Sequence, residues 1–337
     1  MTYFGIDVHQ RQSEICGISD EGEVVVRQRV MTTLNGLRQA LGAVERSSVV
    51  LECGPSSAWV ARVVGQMGHD VSVVNARRVR LIAESSLKTD GVDAEVLARL
   101  SRLDLQLLRP VHQRSAEARA LRSRLRVRAS LLRSRTALIN GVRGTLRCEG
   151  YRMRSCAPAR FVAVFSALSL PEALRQILEP MIATIAHLNQ TLEPLEEDLK
   201  REAKADERCR RLQSVPGVGP LVSLAFVGWM DDPERFARSR DVAGCLGLRP
   251  SLHRSGDRER RGRITREGDR EMRRLLVQAA HAALRTRRDS ALKRWAESLT
   301  ERLGRRKAVV ALARKIAVLM HHLWVTEQSF EAFPQTA

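Results

Sequence analysis

Between Tyr3 and Val74 the chain alternates short apolar runs with turn signals and two stretches of helical period, and that order leaves few folds open. Tyr3-Phe4-Gly5-Ile6, Glu14 to Ile18, Val24 to Val30, Val49-Val50-Leu51 and Val71 to Val74 are each too short for a helix and read as strands. Asp20-Glu21-Gly22 turns the second strand into the third, and a helix follows the third strand and another the fourth. A three-stranded meander continued by alternating helix and strand defines an α/β domain, placed here at residues 1–112.

Two of these strands end in a carboxylate, Asp7 and Glu52, and a charge at the end of a buried strand is costly unless it is solvated or paired. Asp90 and Asp93 open a helical stretch, Val92 to Leu103, and their spacing lets both point to one face. Four carboxylates brought together raise one another's pKa unless a cation neutralises them. Such an oxygen-rich set suits Mg²⁺, with Mn²⁺ as a substitute, and two ions about 4 Å apart clamp the attacking and leaving oxygens of a phosphodiester. The plainer alternative makes Asp90 a helix N-cap and Asp93 a first-turn partner of the helix dipole. His9 either assists beside Asp7 or caps the first strand.

Charge indicates what such a site would act on. The chain carries 57 basic against 38 acidic residues, a formal charge of +19 and a pI near 11.0, so a polyanion is the expected partner. No apolar stretch approaches the roughly 20 residues that span a bilayer, and the chain opens on a strand rather than on a signal peptide's charged and apolar blocks. A soluble, cytoplasmic protein with no membrane partner is expected. Six cysteines without a CxxC pair indicate reduced, mostly structural thiols rather than a zinc site or disulfide framework.

Residues 113–207 read as a helical connector. Between Gln113 and Arg147 a helix-forming stretch carries arginine on nearly every face, with Arg119, Arg122, Arg126, Arg128, Arg133 and Arg135 the candidates for salt-sensitive phosphate contacts. A solvent-exposed basic helix is the alternative. Only 4% of the chain is aromatic, so backbone and shape recognition fits better than base stacking. A heptad follows at Leu174, Leu178, Met181, Ile185, Leu188, Leu192, Leu195 and Leu199, a coiled-coil seam that either joins subunits, the preferred reading, or packs within one chain. Pro180 and Pro194 interrupt it, and at about 3 kcal/mol per interior proline two or three shorter or kinked helices are expected.

In residues 208–333, Val215-Pro216-Gly217-Val218-Gly219-Pro220 has the spacing of a hairpin between helices, where amides at Gly217 and Gly219 approach a phosphate, although a plain interhelical turn looks the same. Leu246-Gly247-Leu248-Arg249-Pro250 leads to Ser251 and then to a mobile loop at Ser255-Gly256, ahead of a helix from Asp269 to Leu284. Arg254, Arg258, Arg260 and Arg261 surround Ser255 and would hold a phosphate while the serine attacks it; otherwise the serine is a turn residue.

Together the motifs resemble a family. Gly5-Ile6-Asp7-Val8-His9, Glu52-Cys53-Gly54 and Lys88-Thr89-Asp90-Gly91-Val92-Asp93-Ala94 are similar to the amino-terminal motifs of the DEDD transposases of insertion sequences, the Piv/MooV-like group of bridge-RNA-guided recombinases. Pro216-Gly217-Val218-Gly219, Phe236, Leu246-Gly247-Leu248-Arg249-Pro250, Ser255-Gly256, Ile264-Thr265-Arg266-Glu267-Gly268-Asp269 and Arg273 with Leu275 and Leu276 are similar to its carboxy-terminal motifs in order and spacing. The resemblance spans nearly the whole chain. It implies a RuvC-like domain of ribonuclease H fold at residues 1–112, a coiled-coil-like connector at 113–207 and a mainly helical transposase domain at 208–333. It implies that Asp7, Glu52, Asp90 and Asp93 bind Mg²⁺ and that Ser255, with Ser251 as second choice, forms a phosphoserine bond to DNA. A structured noncoding guide RNA, donor and target DNA, and a dimer or tetramer are the implied partners. One departure is Cys53, where family members commonly carry threonine. Two other classes fit parts of the pattern: a junction nuclease using the same acids with water as nucleophile, and a non-catalytic nucleic-acid-binding protein. A sugar-kinase-like or actin-like ATPase also opens on a Gly-Ile-Asp strand, but no second glycine-rich phosphate loop is found.

Overall fold

The computed structural model describes residues 1–75, 90–103, 110–255 and 258–333, without the side chains of residues 90–92 and 253–261. Contacts divide the chain into two compact units, Met1–Gln113 and Arg114–Ala337.

The first unit runs β1 (Tyr3–Val8), β2 (Gln12–Ile18), β3 (Val24–Met31), α1 (Leu34–Leu41), β4 (Ser48–Glu52), α2 (Ser57–Gly65), β5 (Asp70–Val74) and α3 (Asp90–Leu103). The strands form one sheet in the order β3-β2-β1-β4-β5, antiparallel through the meander and parallel from β1 through β4 to β5. Alternation along each strand explains the layering. Phe4, Ile6, Ile15, Val49 and Leu51 face Leu37 and Leu41 of α1 and Val60 and Val64 of α2. On the other face Val50 and Val74 lie under Leu97 of α3, and Cys16 and Ile18 under Ala94 and Ala98.

Gly5 lets α3 approach that second face. A Cβ at Gly5 would stand 1.9 Å from the Ala94 carbonyl oxygen and 2.6 Å from the Ala98 amide nitrogen, both backbone atoms that cannot rotate away. Gly5→Ala is therefore expected to lift α3 from the sheet at a cost of about 2 kcal/mol, or roughly 10 °C in Tm for a unit of this size. An unchanged thermal transition of the full chain would show that α3 is not seated on Gly5.

The second unit is helical apart from one ribbon: α4 (Ala116–Cys148), α5 (Phe161–Ser166), α6 (Glu172–Ala205), α7 (Glu207–Leu212), α8 (Pro220–Met230), α9 (Ser239–Cys245), β6 (Pro250–Ser255), β7 (Arg258–Ile264), α10 (Arg270–Arg285), α11 (Ala291–Leu303) and α12 (Arg305–Val325). Apolar on every side, α8 is buried from Val222 to Met230, with α4, α6, α7 and α10 packed on it. By length and composition α12 could cross a membrane, but Leu312, Ile316, Met320 and their neighbours form the core of this unit instead. The basic helix and the heptad helix pack in the same unit as residues 208–333, because Leu121 and Leu199 share one core with Phe226 and Leu276.

Three expectations are corrected here. The heptad segment runs as one continuous helix, α6, with Pro180 and Pro194 inside it, rather than as two or three shorter ones. Both prolines are exposed, on the outer face where helix hydrogen bonds are already stretched. Seven buried leucines and isoleucines on the inner face, at about 2 kcal/mol each, outweigh roughly 3 kcal/mol per proline. The same burial removes the seam as a subunit interface: Leu174, Leu178 and Ile185 pack on Val142, Leu146, Phe161 and Phe165 of their own chain. The six thiols are free, yet Cys53, Cys148 and Cys245 are exposed, so only Cys16 and Cys209 are buried structural residues.

Candidate active site

The strand register assembles the carboxylates. Ile6 pairs with Leu51 across parallel β1 and β4, so the next residues along, Asp7 and Glu52, occupy neighbouring positions at the ends of adjacent strands. Asp7 lies opposite Glu14 across β1 and β2, and Glu14 lies opposite Arg29 across β2 and β3. Paired residues project to the same face, so Arg29, Glu14, Asp7 and Glu52 form a row over four strands. It lies on the face that α3 covers, since Asp7 alternates with Gly5 and Glu52 with Val50.

Within the row, Asp7 Oδ2 stands 3.1 Å from His9 Nε2, with the Asp7 side chain 13% exposed. Glu14 is buried and ion-paired with Arg29, which compensates its charge. The head of α3 reaches the same face, for Ala94 meets Gly5 and Asp93, exposed, is its neighbour in the chain. The Asp90 side chain lies outside the described residues. Among the described residues no three carboxylate, imidazole or thiol side chains converge as a metal set. Asp7 and Glu52 nevertheless stand at neighbouring backbone positions and carry carboxylates, the donor type that Mg²⁺ or Mn²⁺ takes. Glu14 was not singled out from the sequence. Its signal was a charged residue beside Ile15 and Cys16, but its partner is decided by register.

The serine region differs from the expected mobile loop. Ser255 closes β6, paired with Arg258 of β7, so the serine stands at the tip of a two-stranded antiparallel ribbon. The side chains of Arg254, Ser255, Arg258 and Arg261 lie outside the described residues. Ser251 is half-buried, and a Cβ on Gly262 would come within 2.3 Å of its Oγ, so the hydroxyl occupies the space over that glycine. The ribbon is anchored by the motifs on either side of it: Thr265 N donates to Arg249 O at 3.0 Å and Arg266 N to Gly247 O at 3.1 Å. Arg273 of α10 donates to the carbonyls of Leu246 and Glu267, fastening the strand entry to the strand exit.

The glycine hairpin joins α7 to α8. Gly217, at φ +85°, is turned toward the core, where a Cβ would stand 2.1 Å from the Ala279 carbonyl oxygen; Gly219 faces open space. Gly217 thus serves close packing on α10, while Gly219 is free to meet a ligand.

The arginines of α4 fall into two groups. Arg122 pairs with Asp269 at 2.7 Å, Arg128 donates to Glu196 at 2.9 Å, Arg135 donates to Asn189 at 2.8 Å, and Arg119 donates to the Arg114 carbonyl. Burial works against the Asp269 carboxylate, but the Met272 amide and Arg122 outweigh it and hold its pKa below the usual range. Burial next to Arg122 and Arg235 pushes the Arg114 guanidinium down to about 10. Arg126 and Arg133 are exposed.

Carboxylates aligned across neighbouring strands, and a basic helical unit carrying a serine-tipped ribbon, are the two features to set beside known nucleic-acid enzymes. The DEDD transposase family model of the IS110 group matches residues 4–148, and the model described as "Transposase IS116/IS110/IS902 family" matches residues 209–296. The chain is 30% identical to the transposase for insertion sequence element IS1111A of Coxiella burnetii, covering 97% of this chain and 90% of that protein. It is 27% identical to the transposase for insertion sequence element IS1328 of Yersinia enterocolitica, covering 94% of this chain and 95% of that protein. This chain belongs to the IS116/IS110/IS902 family of insertion-sequence transposases, whose activity is the cleavage and transfer of DNA.

Proposed function

We propose that the protein cuts and rejoins donor and target DNA through a phosphoserine at Ser255, using Mg²⁺ held by Asp7, Glu52, Asp90 and Asp93 and guided by a structured noncoding RNA. The observation that carries this reading is the placing of Asp7 and Glu52 at neighbouring strand ends, on the sheet face that α3 covers. Residues 1–112 would be the RuvC-like domain, 113–207 the connector and 208–333 the transposase domain. When bound, the metal ions would stabilise charge developing on the phosphate.

In the proposed step the Ser255 Oγ–P bond forms as the P–O3′ bond breaks, and the serine proton ends on the departing 3′ oxygen. Rejoining reverses this with a new 3′ hydroxyl, so the bond energy is retained without ATP. Asp7 and Glu52 supply the negative charge that draws cations to the scissile group, and pairing with Arg29 keeps Glu14 from adding to the repulsion between those two carboxylates. Base pairing by the RNA would choose the sequence while the protein supplies chemistry. Cutting both strands of two duplexes calls for four serines, hence a dimer acting twice or a tetramer, at the bacterial nucleoid.

The test is an adduct assay with purified protein, Mg²⁺, the noncoding RNA flanking the gene and end-labelled donor and target DNA on a denaturing gel. A labelled band at protein size is the expected result. Nicked DNA without that band would move the reaction to a water-using nuclease.

A further inference from the structure

A cavity of about 670 Å³ adjoins the carboxylate row, sharing Glu14 and Arg29 with it and lined further by His9, Arg11, Gln12 and Met31. The register explains its floor. Side chains two residues apart on a strand share a face, about 7 Å along it, so His9, Gln12 and Met31 make the rung next to Asp7, Glu14 and Arg29. Contacts agree with that alignment: His9 reaches Asp7, and Gln12 Nε2 stands 3.9 Å from Met31 Sδ. The rung on the other side of the row, at Gly5, is covered by α3.

The cavity's mouth is held in place by Thr32. Residues His9-Gln10-Arg11 join β1 to β2, and the Thr32 amide donates to Arg11 O at 2.8 Å while its hydroxyl donates to His9 O at 3.0 Å, with Ser13 Oγ 2.8 Å from that hydroxyl. Arg29 is engaged by Glu14, but Arg11 is exposed and has no carboxylate partner among the described residues. Among those residues the Gln12 amide donates to the Met31 sulfur alone, a weak acceptor. A guanidinium and an amide on an already ordered turn bind an oxyanion with little further ordering cost. A phosphodiester held over Asp7 and Glu52 carries its next phosphate one nucleotide away, on the scale of the rung spacing. We propose that this cavity binds the DNA phosphate next to the scissile one, through Arg11 and Gln12, and so aligns the cut strand over the carboxylates. The inference rests on the reading of Asp7 and Glu52 as the metal-holding site. Because α3 covers the rung on the other side, only one of the two neighbouring phosphates is held in this way.

The test is an interference cycle read as the second-order rate of strand cleavage on the denaturing gel, with full-length protein, Mg²⁺ and the flanking RNA. Donor DNA carries a single uncharged methylphosphonate at the phosphate before or after the cut. Wild type is compared with the Arg11→Ala, Gln12→Ala variant and with Arg38→Ala on α1, a control for net charge, and circular dichroism checks folding. The expected result is about a ten-fold loss in wild type from one of the two methylphosphonates and little from the other. The double variant loses about ten-fold on unmodified DNA while Arg38→Ala does not, and in it the same methylphosphonate costs about two-fold or less, because the contact is already gone. Losses that multiply, no loss or equal losses at the two phosphates, or an equal loss in Arg38→Ala overturns the subsite and leaves the metal site standing. Multiplying losses together with weaker RNA affinity in the double variant overturn it in favour of RNA as the occupant. Wild type that cuts no DNA, or cuts it equally without Mg²⁺, overturns the reading of the carboxylate row and the subsite with it, so the two failures are distinct.

Discussion

Ser255→Ala protein is expected to bind RNA and DNA as wild type does and to form no covalent adduct, with strand cleavage reduced by on the order of 10⁴-fold or more. The argument is chemical. Ser255 closes β6 at the tip of a ribbon tied at its base to Arg249 and Gly247, and the substitution removes a hydroxyl while leaving the backbone free to keep its pairing with Arg258. Nothing nearby in sequence replaces it except Ser251, whose hydroxyl sits over Gly262 on the strand rather than at the tip. The measurement is the denaturing-gel adduct assay run beside a filter-binding titration. Cleavage retained with an adduct would transfer the role to Ser251, which the double variant would confirm by losing it. Cleavage retained without an adduct would remove the serine step altogether.

Much of the first unit was legible because short apolar runs broken by turns have few alternatives to strands. The five strands follow from that, and so do Asp7 and Glu52 at strand ends. Glu14 was not legible, because its importance comes from lying opposite Asp7, and register belongs to the paired structure rather than to either strand. The ribbon escaped detection for a related reason: Arg258 to Ile264 carries almost no apolar alternation, so a period-based reading sees only charge and a loop. In α6 the local rule was sound but outweighed. A proline's penalty is read from sequence, whereas the inner face that compensates it exists only once α5 and the carboxy-terminal half of α4 lie against it.

The Asp7→Asn variant separates the metal reading from mere strand-end polarity. The amide has the shape of the carboxylate and retains one oxygen, so the β1 pairings with β2 and β4 have no reason to change. Removing one of two neighbouring carboxylates relieves repulsion but also weakens the contact with His9, so in metal-free buffer the variant's Tm is expected to lie close to that of wild type. In saturating Mg²⁺ the two separate. A ligand at 100 times its Kd stabilises the folded state by about 2.7 kcal/mol, and wild type should gain on that scale while the variant gains little. Mg²⁺-dependent cleavage should fall by on the order of 10³-fold in parallel, because charge on the departing oxygen is no longer met. The two readouts fail in different ways. A Tm gain from Mg²⁺ equal in both proteins would place the ion elsewhere, and loss of cleavage with that gain intact would make Asp7 a residue that orients His9 or the substrate rather than one that holds the metal.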